Sequence, residues 1–108
     1  MATTKYSDIS CHVEPNGIVK FNEALVTDEY SIKATAETDR YGNMIKGEWT
    51  HTENDKGVAL SVTFPDGKIS GRNVPASQDL QEGLRTDRGD LLERKILDCK
   101  KASNLKLF

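Results

Sequence analysis

From residue 30 to residue 74 apolar side chains return at every second position, interrupted by turns that contain glycine. A period of two marks a strand with one buried side, because successive Cβ atoms point to opposite faces of a sheet. Tyr30, Ile32, Ala34 and Ala36 share one side of the first run. Ile45, Gly47, Trp49 and His51 share one side of a second run over 44–52. Val58, Leu60, Val62 and Phe64 share one side of a third, and 69–74 reads as the closing strand. The turns carry their own chemistry. Gly42 can adopt a left-handed conformation between the first two runs, residues 53–57 form a polar hairpin loop, and Asp66-Gly67 is a favoured hairpin pair.

Upstream, Ile9, Cys11 and Val13 alternate with Asp8, Ser10 and His12, which predicts a strand over 6–13. Glu14-Pro15-Asn16-Gly17 is a turn: proline presets φ at its second position and Asn16 or Gly17 tolerates positive φ. A second strand follows over 18–21, and 22–29 reads as loop. Downstream, Pro75 ends the alternation and Ser77 is placed to cap a short helix over 78–84. Gly83 and Gly89 loosen the middle of this segment, so a second helix capped by Asp87 or Asp90 is expected to run to about residue 102. Leu92, Ile96 and Cys99 then fall on one face at helical spacing. Leu105, Leu107 and Phe108 end an apolar tail over 103–108, expected to dock on its own domain or on a second subunit.

These elements predict an α+β fold. A curved antiparallel meander of about six strands over 6–74 is followed by one or two C-terminal helices over 77–102, packing on one face. With 108 residues the chain has room for one domain, 1–108, large enough to bury a core. Gly47 and Gly71 each close an I-x-G unit in mid-strand, where glycine marks a bulge, a bend or a close backbone approach. The segments around them, Gly47-Glu48-Trp49 and Asp66-Gly67 with Gly71, resemble the hairpin repeats called MORN repeats. Gly47-Glu48-Trp49 is also similar to the G-x-W found near the start of lipocalin barrels. Each resemblance implies curved hairpins.

Charge narrows the function. Basic and acidic residues number 15 and 17, a net charge of −2, so the basic excess that phosphate neutralisation demands is missing and nucleic acid is not expected as a partner. Arg94, Lys95, Lys100, Lys101 and Lys106 concentrate near the C-terminus, but acidic residues interrupt them and they read as a solvated helix face. No apolar run is long enough to span a bilayer, and residues 1–20 are polar where a secretion leader needs an apolar segment. A soluble cytoplasmic protein is expected, with no membrane partner. Cys11 and Cys99 are then expected as two free buried thiols, the alternative being one disulfide that ties the termini together in an oxidising compartment.

Candidate chemistry is sparse. Cys11 and His12 are neighbours in a strand and point to opposite faces, so they cannot act as a nucleophile and base pair. No C-x-x-C or H-x-x-x-H spacing is present, and no glycine-rich phosphate loop, so no metal, cofactor or catalytic residue is assigned. Arg88-Gly89-Asp90 reads as a helix start. Trp49 and His51 share a strand face and Tyr41 sits in a turn; all three are candidate binding residues. Arg72, Arg85 and Arg88, with Lys68, surround the sheet-to-helix crossover and could hold a small anionic ligand, unless Asp79, Glu82, Asp87 and Asp90 pair with them first.

The expectation is a non-enzymatic interaction protein that binds, and in the manner of phage or bacterial accessory inhibitors blocks, a protein partner. Self-association as a homodimer through an edge strand or the C-terminal tail fits the same elements. The alternative is a small-ligand binding or sequestering protein, with a cup formed by the curved sheet and the C-terminal helix and lined by Trp49, His51, Arg72 and Tyr30.

Overall fold

The computed structural model describes residues 2–106. Its elements are β1 (Thr4–Val13), β2 (Val19–Thr27), β3 (Tyr30–Thr38), β4 (Met44–Glu53), β5 (Gly57–Phe64), β6 (Lys68–Ser70) and α1 (Gln78–Lys106). The strands form one open antiparallel sheet in chain order, β1-β2-β3-β4-β5-β6, with α1 laid across one face. This is the expected α+β arrangement, with one helix of the one or two expected.

The core lies between α1 and the sheet. Val19, Phe21, Ala34, Ala36 and Trp49 from the strands meet Leu92, Ile96 and Cys99 from the helix. The helical triad is the one its spacing predicted. Leu92 is completely buried, and burial of a leucine side chain contributes about 1.5–3 kcal/mol. The opposite face stays polar. Asn22, Thr35, Glu48 and Thr63 lie in one cross-strand row, and Lys33, Thr50 and Ser61 in the next, with Thr50 and Ser61 hydroxyls 3.0 Å apart.

Several expectations are corrected. Residues 22–27 are not loop: they complete β2, pairing with β1 and β3 along their length. Glu23 hid the alternation, since it occupies a core-side position between Phe21 and Leu25; its carboxylate is ion-paired with Lys95 of the helix. Thr27, buried at the end of β2, accepts the Glu29 and Tyr30 amides on its hydroxyl and closes the β2–β3 turn.

Two bulges change which side chains face the core. One, between Glu37 and Thr38, sets Met44 opposite Thr38 and leaves Ile45 exposed. The other, between His51 and Thr52, sets Val58 opposite Thr52, so Val58 is exposed and Ala59 is buried. The last strand is short. Gly71 bends away at φ +124, and a Cβ there would lie 2.5 Å from the Ala59 carbonyl oxygen. The Arg72 and Asn73 amides then donate to the Val58 and Ala59 carbonyls. Gly47 is a close-approach position: a Cβ would meet Met44 Sδ at 2.7 Å and Leu92 Cδ1 at 3.3 Å.

The helix begins where expected. The Ser77 hydroxyl accepts the Leu80 amide at 3.1 Å. It then continues through Gly83 and Gly89, so Arg88-Gly89-Asp90 lies in mid-helix and starts nothing. Each internal glycine costs about 1 kcal/mol against alanine, which packing of the Leu92–Ile96–Cys99 face can offset when no proline intervenes. The helical backbone runs on through Lys106, and the remainder of the expected tail, Leu107 and Phe108, lies outside the described residues.

Cys11 and Cys99 are not free thiols. They form a disulfide that ties β1 to α1, with Cα atoms 5.9 Å apart. Cys11 faces the helix side from an edge strand and Cys99 is on the buried helical face, so the packing that buries Leu92 and Ile96 also brings the sulfurs together. Among the described residues no helix is long and apolar enough to cross a membrane.

Candidate functional site

The helix crosses the sheet obliquely and does not cover all of its apolar side. Arg85 lies over the β5–β6 turn, Gly89 over Phe64, Leu92 over Gly47, and Cys99 reaches β1. These contacts fall toward the ends of the strands that carry Val13, Val19, Met44 and Phe64. At the other ends the same face continues with less cover. Ile32, His51 and Leu60 form one cross-strand row there, bordering the buried row of Ala34, Trp49 and Val62, and Tyr30 pairs with Glu53 at the outer end. Tyr30, Ile32, His51 and Leu60 are half-buried.

Aromatic side chains gather in this region. The Tyr30 and His51 rings stack with centroids 5.0 Å apart and planes 25° from parallel. Trp49 is tilted against His51 at 6.2 Å. Alternate positions on β4 and the antiparallel register with β3 place the three rings on one side. The Arg88 guanidinium of α1 lies 4.2 Å from the Trp49 ring centroid, a cation–π arrangement, and its Nη1 donates to Asp87 at 2.7 Å. Trp49 itself is 8% exposed, so it anchors the patch from beneath while Tyr30 and His51 present its accessible surface.

The cationic candidates do not converge on one ligand. Arg72 donates to the Glu53 carboxylate at 3.0 Å, and the Asn73 side-chain amide approaches the same oxygen at 3.5 Å. The Arg72 hydrogen bond is the main reason that the Glu53 carboxyl is held below its ordinary value. Arg85 donates through Nε to the Gly67 carbonyl at 2.6 Å and pairs with Glu82 at 2.9 Å. Of the acids expected to satisfy these arginines, Glu82 and Asp87 do so, and Glu53 takes Arg72.

Tyr41 stands apart. It is 73% exposed in the β3–β4 turn, beside the Arg40 guanidinium, at the opposite end of those strands from Tyr30. Asp39 organises that turn by accepting the Tyr41 and Asn43 amides, each at 2.9 Å. The Asn43 amide is the largest cause of its lowered carboxyl pKa. His12 lies on the polar face of β1, away from His51. Among the described residues no three His, Cys, Asp or Glu side chains converge as metal ligands would.

The sequence marks Trp49 and His51 as binding candidates, gives Ile32 no binding role and sets Tyr30 only in a ligand cup. Both share the core-side phase of β3, a signal present in the alternation; their contact with His51 depends on the β3–β4 register. The concave space beneath the helix is filled by Val19, Phe21, Ala36, Leu92 and Ile96. A separate hollow of about 450 Å³ lies by β2, β3 and β4, with Lys20, Asn22, Thr35, Glu37 and Lys46 among its lining. Lys20 is held there by Glu14 at 3.0 Å. No protein-family model, curated protein or solved structure matches the chain.

Proposed function

We propose that this chain is a non-enzymatic binding module that recognises a protein partner with the helix-free part of its apolar face. The observation that supports this is the half-exposed Tyr30–His51 stack, continuous with Ile32 and Leu60 and backed by the buried Trp49. An aromatic floor of this kind offers large contact area at small conformational cost, since each ring has only two side-chain torsions to fix. Its rim carries the Arg72–Glu53 pair and Asn73, groups suited to orienting a polar partner segment. A small anionic ligand has less support, because Arg72, Arg85 and Arg88 each already engage a protein group.

The test is capture from extract of the native host with three baits: the wild type, Tyr30→Ala/His51→Glu, and Lys33→Glu on the polar face. A partner retained by wild type and Lys33→Glu but lost with the double variant supports the proposal, provided both variants keep the wild-type circular dichroism spectrum. A partner held equally by all three, or none at all, overturns it. Titration of Trp49 fluorescence with a panel of metabolites addresses the ligand-binding alternative.

A cytoplasmic location stays part of the proposal, and the Cys11–Cys99 bond is the observation that opposes it, since reducing compartments disfavour disulfides. Alkylation of thiols in intact cells before lysis decides between the two.

A further inference from the structure

The two edges of the sheet differ sharply. β6 is three residues long and ends at the Gly71 bend, so it offers little to a neighbouring strand. β1 is ten residues long, and its residues are exposed from Thr4 to His12. Natural edges are usually blunted by proline, by a central bulge or by inward-pointing lysine. In β1 the bulge lies at the far N-terminal end, between Thr4 and Tyr6, and Pro15 falls beyond the strand. The disulfide through Cys11 holds this edge against the helix, so it is a rigid template.

The register of β1 shows which main-chain groups are unused. The Glu14 amide donates to the Ile18 carbonyl across the β1–β2 turn, which makes that a hydrogen-bonded pair. Pairs alternate in an antiparallel ladder. His12, Ser10 and Asp8 therefore spend their amides and carbonyls on β2, and Cys11, Ile9 and Ser7 direct theirs outward. The side chains of this outward row all lie on the helix side.

We infer that a second copy of this chain pairs with β1, antiparallel, about a twofold axis at Ile9. Two centrings use most of the strand, one on Asp8 and one on Ile9. Centring on Asp8 sets two carboxylates directly opposite each other, which is destabilising in a cross-strand pair. Centring on Ile9 sets Ile9 against Ile9 and Ser7 against Cys11, each of these pairs exchanging two main-chain hydrogen bonds. On the polar face it sets Asp8 beside Ser10, where a hydroxyl can donate to the carboxylate, and Tyr6 beside His12. No like charges meet.

Side-chain exposure supports the same axis. Ile9 is 61% exposed and Tyr6 54% exposed, the two large apolar side chains that β1 leaves in water. Ile9 also borders a hollow of about 310 Å³ between the edge and the helix, lined by Cys11, Phe21, Cys99 and Ala102. In the Ile9-centred register the second isoleucine lies against the rim of that hollow and covers its apolar wall. The paired sheets become one continuous sheet, with the polar faces on one side and both helices on the other. This surface is distinct from the Tyr30–His51 patch, so either proposal can fail without the other.

Sedimentation velocity over a concentration series is the test. The expected result is a species approaching twice the 12.0 kDa chain mass as concentration rises. Ile9→Lys is expected to leave the chain mass alone at every concentration, with an unchanged circular dichroism spectrum. Ile9→Cys, oxidised in air, is expected to give a covalent dimer on a non-reducing gel, whereas Asp8→Cys is not. A wild type that keeps the chain mass at every concentration overturns the inference, as does a dimer that survives Ile9→Lys. A dimer cross-linked through Asp8→Cys and not through Ile9→Cys overturns the register.

Discussion

Reduction of the Cys11–Cys99 bond is expected to lower stability more than any single surface change. The bond closes a loop with a sequence separation of 88, nearly the whole chain. In the chain-entropy account, a cross-link over such a loop removes about 15 cal/mol/K from the unfolded ensemble, or about 4.6 kcal/mol at 25 °C. Measured effects fall below that ceiling, so about 3 kcal/mol is the working value. Typical domains have only about 5–15 kcal/mol in total. The assay is guanidinium unfolding followed by Trp49 fluorescence, with and without a phosphine reductant. Trp49 is a suitable reporter because it is buried beneath Arg88 of the helix. With a denaturant slope of about 3 kcal/mol/M, the midpoint should fall by roughly 1 M on reduction. Reduction is cleaner than mutation, since Cys99→Ser would bury a hydroxyl at a position only 6% exposed. Coincident curves for oxidised and reduced protein, or two thiols titrating in the native state, would refute the reasoning.

Other outcomes follow from the same geometry. Leu92→Ala opens a cavity over Gly47 in the completely buried centre of the helix contact and should cost about 2–5 kcal/mol in the same unfolding assay. Gly71→Ala should be worse than Gly42→Ala. Both have positive φ, and residue 42 has open space, so alanine there costs about 1–2 kcal/mol of backbone strain. At residue 71 the new methyl also meets the Ala59 carbonyl; equal melting temperatures for the two variants would contradict this. Arg72→Gln should raise the Glu53 titration midpoint toward the ordinary carboxylate value, read by NMR. The sign for stability follows: a lowered folded-state pKa means that the pairing contributes fully above the ordinary carboxylate range and fades as pH falls through the lowered value. The variant should therefore show a weaker acid-side loss of stability than the wild type, and an unchanged Glu53 midpoint would remove the basis for this.

Local pattern carried most of the strands. β3 was legible because small and apolar residues alternate without a break from Tyr30 to Ala36, and the β5–β6 turn because Asp66-Gly67 has few other uses. The second half of β2 was not legible. Glu23 sits in core-side phase, and its ion pair with Lys95, seventy-two positions away, makes that tolerable. The ends of β4 and β5 depart from the alternation for a related reason: each bulge shifts the phase by one residue, and a bulge depends on the partner strand as much as on its own sequence. Within the candidate site, Trp49 and His51 were visible as neighbours on one strand face. Their contacts with Tyr30 and Arg88 come from other elements.

By itself, then, the amino-acid order determined an antiparallel meander followed by helix, the apolar side of most strands and the Leu92–Ile96–Cys99 face, because these follow from side-chain periodicity within a few residues. Packing decided the rest: the single helix through two glycines, the disulfide from β1 to α1, and the part of the apolar face left partly open at Tyr30 and His51. Those features depend on where the helix axis crosses the sheet, and that angle is set by contacts between residues far apart in the chain, which no local spacing encodes.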